Sequence, residues 1–137
     1  MILTQELAKR INAVLRNFGP TLMNLTSTGV YRCTPKDDPA TVLKGSGIRS
    51  LDPGDYLVGA FQHSDGRRAV LLNNYHFAYS AWPTVVFDRP TNSVFEISPV
   101  TGQEILAIDD SPDLPGFQVS LDAGQGRLFL LPPSQQE

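Results

Sequence analysis

Residues 56–74 read YLVGAFQHSDGRRAVLLNN, and this stretch decides the fold class. Two largely apolar segments, from Tyr56 to His63 and from Arg68 to Asn74, flank the residues Ser64-Asp65-Gly66-Arg67. An Asp-Gly pair between two such segments is typical of a tight hairpin, because glycine accepts the positive φ that the turn requires. The stretch therefore predicts two antiparallel β-strands joined by a short turn.

Short apolar segments of the same kind lie on both sides of this hairpin, separated by eleven glycines and eleven prolines spread along the chain. Many short strands with turn residues between them are typical of an all-β domain. We therefore predict an antiparallel β-sandwich of about eight strands. The region from Pro35 to Gly47 is polar and predicts a long loop. Further strands are predicted at Val30 to Cys33, Ile48 to Leu51, Thr84 to Phe87, Val94 to Ser98, Gln103 to Ile108, Phe117 to Leu121 and Leu128 to Leu131.

The first segment of the chain has a helical pattern. Leu3, Leu7, Ile11 and Leu15 recur at four-residue steps and predict an amphipathic helix. Gly19-Pro20 should end it, because glycine suits the left-handed position after a helix and proline cannot continue one. We divide the chain into a helical packing segment at residues 1–28 and a β-sandwich domain at residues 29–137.

Composition limits the classes of function. The chain has 137 residues, enough for one domain, and a net charge of −3 with scattered basic residues, which argues against nucleic-acid binding. No apolar run approaches the roughly 20 residues of a membrane helix, so no membrane partner is expected. Cys33 is the only cysteine, so an internal disulfide cannot form. The compartment stays open, with a secreted or periplasmic parent protein among the options.

No arrangement of residues indicates catalysis. Glycoside hydrolysis needs two carboxylates facing each other across a pocket. Outside the predicted helix the glutamates are Glu96, Glu104 and Glu137, and Glu96 alternates with Phe95 and Ile97, which predicts a solvated face for its side chain. The sequence has no metal-binding motif and no phosphate-binding loop. We therefore expect no catalytic residue, no metal and no cofactor.

One uncharged aromatic stretch, NNYHFAYSAW at residues 73–82, is a candidate binding surface. Tyr75, Tyr79 and Trp82 offer flat rings, and Asn74 and His76 offer neutral hydrogen-bonding groups, which together suit a carbohydrate. The alternative is that the rings pack under a crossing between two sheets. The two interpretations differ in the solvent exposure of the rings.

The turn chemistry and strand patterns together resemble a known family. The hairpin at residues 56–74, the sequence FEISPVTG at residues 95–102 and the sequence GQGRLFLL at residues 124–131 are similar to the C-terminal β-sandwich domains of glycoside hydrolases. The N-terminal segment is similar to the helix that follows a (β/α)8 catalytic barrel.

This resemblance implies a non-catalytic accessory domain of a larger carbohydrate-active enzyme. Such a domain packs against or stabilises the catalytic barrel of the parent chain, and the catalytic carboxylates lie on that barrel. The alternative is a carbohydrate-binding module with an aromatic platform. In such an enzyme the apolar face of the predicted helix, formed by Leu3, Leu7, Ile11 and Leu15, would pack against the barrel. Without the barrel this face would be exposed, and we therefore expect the chain to self-associate through it.

Overall fold

The computed structural model describes residue 9 and residues 25–76, 78–88, 93–98, 103–107 and 116–133. The predicted N-terminal helix lies outside these residues apart from Lys9, so both the helix and self-association through it stay predictions. The division of the chain at residue 29 stays a prediction as well.

The described residues form mostly antiparallel β-structure in two sheets, which confirms the all-β prediction. The larger sheet has six strands in the order β1-β3-β4-β9-β6-β7, and the smaller has the order β2-β5-β8. A single short helix, α1, spans Pro39–Val42 within the described residues. The strands are β1 Leu25–Cys33, β2 Ile48–Leu51, β3 Tyr56–His63, β4 Arg68–Asn74, β5 Thr84–Phe87, β6 Phe95–Ile97, β7 Glu104–Leu106, β8 Phe117–Gln118 and β9 Gly126–Leu131.

The predicted hairpin is confirmed with the bounds that the sequence indicated. β3 and β4 pair in register from Tyr56 with Asn74 to Gln62 with Arg68. Gly66 has a φ of +97° in the turn, a value that side chains other than glycine rarely adopt. The hairpin supplies the second and third strands of the larger sheet, and its outer edges pair with β1 on one side and β9 on the other.

Two segments differ from the sequence-based expectation. β1 begins at Leu25, so residues 25–28, which were predicted to belong to the helical segment, form a strand that pairs with the end of β3. Thr26 and Thr28 favour this because β-branched residues suit a strand. The predicted loop from Pro35 to Gly47 contains α1, whose first residue Pro39 suits a position where no backbone N–H bond is needed.

The two sheets share a hydrophobic cluster that includes residues of β2, β5 and β8 and of β3, β4 and β9. Within it the ring centroids of Phe87 and Phe129 lie 5.1 Å apart. Side chains on the opposite face of the larger sheet form a second buried cluster, with Leu57, Leu71 and Leu128 at its centre. Both faces of β3 and β4 are therefore buried, which holds the ends of these strands in place.

The prediction of a solvated Glu96 was wrong. Its side chain is 6% exposed, and both carboxylate oxygens accept hydrogen bonds of 2.7 Å from the guanidinium of Arg127. Glu96 does point away from Ile97, but Phe129, its cross-strand neighbour on β9, belongs to the core shared by the sheets. The alternation of residues on β6 predicts which face of the strand Glu96 occupies, but it does not show whether other residues cover that face.

Candidate functional site

A pocket of about 280 Å³ opens where β3 begins and β4 ends. Three of the five predicted binding residues line it, namely Asn74, His76 and Tyr79. The other walls come from residues 53–56 and 80–81 and from Pro35. Because Tyr56 and Asn74 are register partners, the hairpin itself brings the two sides of the pocket together.

Two of the three predicted aromatic rings are exposed, and one of these, Tyr79, lines the pocket. Tyr79 is 70% exposed and Trp82 is 62% exposed. Tyr75 is half-buried, and the guanidinium carbon of Arg32 lies 4.2 Å from the centre of its ring, a cation–π contact. The exposure of Tyr79 and Trp82 favours a binding surface over rings buried in a crossing between sheets. Trp82 lies outside the pocket lining.

Asn74 holds the loop at one side of the pocket. Its side-chain nitrogen donates to the backbone oxygens of Tyr79 at 2.8 Å, Asp122 at 3.3 Å and Leu121 at 3.4 Å. Its side-chain oxygen accepts from the backbone N–H of His76 at 3.1 Å. Asn74 is 2% exposed, so its hydrogen-bonding groups serve the backbone around the pocket.

His76 and Tyr79 form the aromatic wall of the pocket. Their ring centroids lie 4.8 Å apart with a 50° angle between the planes. The Nδ1 atom of His76 accepts a hydrogen bond of 3.1 Å from the backbone N–H of Ala78. The neutral ring therefore carries its proton on Nε2, which can donate to a ligand. The backbone N–H of Gly124 binds the carbonyl of His76 at 3.1 Å and ties this wall to the turn before β9.

The other side of the pocket is polar. The guanidinium of Arg32 forms an ion pair with Oδ1 of Asp55 and donates to the backbone oxygens of Cys33 at 2.7 Å and Tyr56 at 3.2 Å. In the described part of the chain, no hydrogen bond reaches Oδ2 of Asp55. The Asp55 side chain is 26% exposed, so one carboxylate oxygen is held and the other is available to a ligand.

Tyr56 is buried at the same side, with 4% exposure. Burial, and then the charge of nearby Asp52, raises the pKa of Tyr56 to about 12, which keeps its hydroxyl protonated as a donor. A Cβ atom at Gly54 would lie 2.5 Å from the Tyr56 ring, so this approach of chain and ring requires glycine. No pattern in the sequence indicated Asp55 and Tyr56 as site residues, because their role depends on Arg32 and on the loop after β4.

Arginines hold Glu96 and Glu104, the two glutamates that the structure describes. Glu104 accepts two hydrogen bonds of 2.7 Å from Arg67, just as Glu96 does from Arg127. Arg67 lowers the pKa of Glu104 from its usual range. No three His, Cys, Asp or Glu side chains in the described ranges are grouped so that they could hold a metal ion.

Comparison of the chain with protein-family models, curated proteins and solved structures gave no match. Within the described ranges of the chain, no helix is long and apolar enough to cross a membrane.

Proposed function

We propose that this chain is a non-catalytic accessory domain of a larger carbohydrate-active enzyme and that it binds carbohydrate. The binding site consists of the pocket and the exposed rings of Tyr79 and Trp82, which together we name the aromatic site. The observation that carries this proposal is the exposure of these two large rings, 70% and 62%, with Tyr79 in the pocket lining and Trp82 next in the chain to the lining residue Ala81. Exposed apolar side chains at a pocket are typical of a binding site.

The chemistry of the aromatic site suits a sugar. A sugar has an apolar C–H face and many hydroxyl groups, so it is recognised by flat rings and neutral hydrogen-bonding groups. No Lys, Arg, Asp or Glu occurs from Asn73 to Phe87. The Nε2–H group of His76 is a donor beside the Tyr79 ring.

The accessory role rests on the fold and on the state of the carboxylates. We propose in addition that the two sheets belong to a β-sandwich of about eight strands. An N-terminal helix would connect this sandwich to a catalytic barrel that precedes it in the parent chain. Glu96 and Glu104 each have both carboxylate oxygens hydrogen bonded to an arginine. A carboxylate held in this way is a poor general acid or nucleophile, which supports a binding role over hydrolysis.

The test is a titration of the folded domain with a panel of neutral oligosaccharides. Tyr79→Ala and Trp82→Ala should each weaken binding, because each removes a flat ring from the aromatic site. Phe95→Ala is the matched control, since Phe95 is 39% exposed on β6, outside the aromatic site. The proposal fails if no sugar binds to the wild type, or if Phe95→Ala weakens binding as much as the site variants do.

A second candidate function is structural support of the catalytic barrel through a different surface. Phe95, Ile105 and Leu106 are 39%, 43% and 55% exposed, and Phe95 and Leu106 are register partners on β6 and β7. This apolar pair of strands would suit packing against another domain of the parent chain. Leu106→Lys should then weaken association with the separately produced catalytic domain without changing sugar binding.

A further inference from the structure

We infer that the pocket receives a single uncharged sugar ring at the end of a chain, with Asp55 and Tyr56 in direct contact with its hydroxyl groups. This inference rests on the proposed function and specifies its ligand. The first support is size. The pocket measures about 280 Å³, just below the roughly 300 Å³ at which pockets for larger organic ligands begin. A volume of this size suits one sugar ring with its hydroxyls.

The second support is the free oxygen of Asp55. Arg32 holds Oδ1, which fixes the orientation of the carboxylate, while no hydrogen bond from a described residue reaches Oδ2. A fixed carboxylate oxygen at the pocket wall is a strong acceptor for a sugar hydroxyl, because hydrogen bonds to charged groups are shorter and stronger than neutral ones. A hydrogen-bond acceptor of this kind requires a ligand that donates.

The third support is Tyr56. Its ring lies against Gly54, which also lines the pocket, and no described residue forms a hydrogen bond with its hydroxyl. A ligand oxygen that accepts from this hydroxyl adds a hydrogen bond inside the pocket and so gains affinity. A sugar hydroxyl both donates and accepts, so one ring could bind Asp55 and Tyr56 together.

The charge of the pocket excludes an acidic ligand. Asp55 is the charged residue of the lining, and Asp52 is close enough to raise the pKa of Tyr56. The guanidinium of Arg32 already binds one carboxylate oxygen and two backbone oxygens. A sugar acid would bring its carboxylate towards Asp55 with no uncommitted cation among the lining residues, so we expect neutral rings to bind and uronic acids to be rejected.

The direct experiment compares single sugar rings with longer chains of the same sugar, and chains with a free terminal ring with chains whose terminal ring is methylated. Methyl glycosides of glucose, galactose, mannose and xylose are titrated into the ¹⁵N-labelled domain beside linear oligosaccharides of the same sugars. A third set carries O-methyl groups on the hydroxyls of the terminal non-reducing ring. One methyl glycoside should bind within about threefold of its oligosaccharide, a difference well under one decade of affinity. Methylation of the terminal ring should abolish binding.

The variants test the contacts. Tyr56→Phe and Asp55→Asn should each weaken binding of the methyl glycoside about tenfold or more, the effect of one lost hydrogen bond. Tyr31→Phe is the matched control for loss of a hydroxyl, and Asp88→Asn is the control for loss of a charge, since both residues lie outside the pocket lining. Unfolding midpoints establish that the variants being compared remain folded.

Each outcome decides between the proposals. Affinity that rises with every added ring and survives methylation of the terminal ring overturns the single-ring inference but leaves carbohydrate binding intact. Unchanged affinity in both Tyr56→Phe and Asp55→Asn also overturns it. If neither the glycosides nor the oligosaccharides bind, the proposed function itself fails, and the inference fails with it.

Discussion

The hydrogen bonds of Asn74 allow the loss of stability on its replacement to be worked out. Its two short hydrogen bonds, to the Tyr79 oxygen at 2.8 Å and from the His76 N–H at 3.1 Å, each contribute about 1 kcal/mol net. The bonds to Leu121 and Asp122 are longer and weaker. Asn74→Ala should therefore lower the free energy of unfolding by about 2–3 kcal/mol, the two short bonds plus a small term for the lost buried packing.

Asn74→Asp is the sharper perturbation, because it keeps the shape of the side chain and changes its charge. One carboxylate oxygen would face the three backbone oxygens that now accept from the Asn74 nitrogen. Burial and these oxygens disfavour the ionised form, so the pKa of the introduced carboxyl is raised in the folded state above its unfolded value of about 3.9. The stability that protonation provides is then present below about pH 4 and is lost as the pH rises through the raised pKa.

The assay is urea unfolding of the wild type, Asn74→Ala and Asn74→Asp across this pH range. The deficit of Asn74→Asp relative to the wild type should be smallest in acid and should grow towards neutral pH. Gln62→Glu is the matched control, because the Gln62 amide is exposed and donates one bond of 3.3 Å at the hairpin. An Asn74→Asp deficit that does not change with pH, or that equals that of Gln62→Glu, would show that Asn74 does not hold the loop.

Three further predictions follow from burial and charge. Trp82→Ala should change the free energy of unfolding by no more than about 0.5–1 kcal/mol in urea, because the ring is 62% exposed; a loss of roughly 3–5 kcal/mol would mean that the ring is buried. Glu96→Gln should cost about 3 kcal/mol in the same assay, because it leaves the charge of Arg127 unpaired in a largely buried place; a loss below about 1 kcal/mol would contradict this. Hydrogen bonds from Arg67 lower the pKa of Asp65 to about 2. Its stabilising effect should be complete above the unfolded pKa of about 3.9 and disappear as the pH falls through about 2. In acid unfolding followed by circular dichroism, Arg67→Met should lose less stability between about pH 3.9 and about pH 2 than the wild type does. An unchanged unfolding curve would refute the role of the Arg67–Asp65 pair.

Local signals in the sequence were sufficient for most of the strands. The bounds of β2, β3, β4 and β5 agree with the prediction, because each strand is limited by turn residues next to it in the chain. The Asp65-Gly66 turn also fixed the pairing of β3 with β4. Sheet order could not be predicted in this way, since β9 pairs with both β4 and β6 across long intervals of sequence.

The errors arose where a distant residue decides the environment. Glu96 is buried because Arg127, 31 residues away, neutralises it. Residues 25–28 become a strand because β3 extends to His63 and offers them an unpaired edge. Neither partner can be identified from the residues next to the segment in question.

At the candidate site some features follow from neighbouring residues in the chain and others depend on distant residues. Asn74 is an example. The sequence contains an uncharged aromatic stretch, and Tyr79 and Trp82 are exposed within it. The polar residues of the same stretch were expected to contact a ligand, yet the Asn74 amide makes four hydrogen bonds to the backbone. A polar side chain next to aromatic rings can serve either the loop or the ligand, and the number of hydrogen bonds it already makes distinguishes the two. By this criterion Asp55 and Tyr56, on the pocket wall where β3 begins, keep bonding capacity for a ligand, and no pattern in the sequence pointed to them.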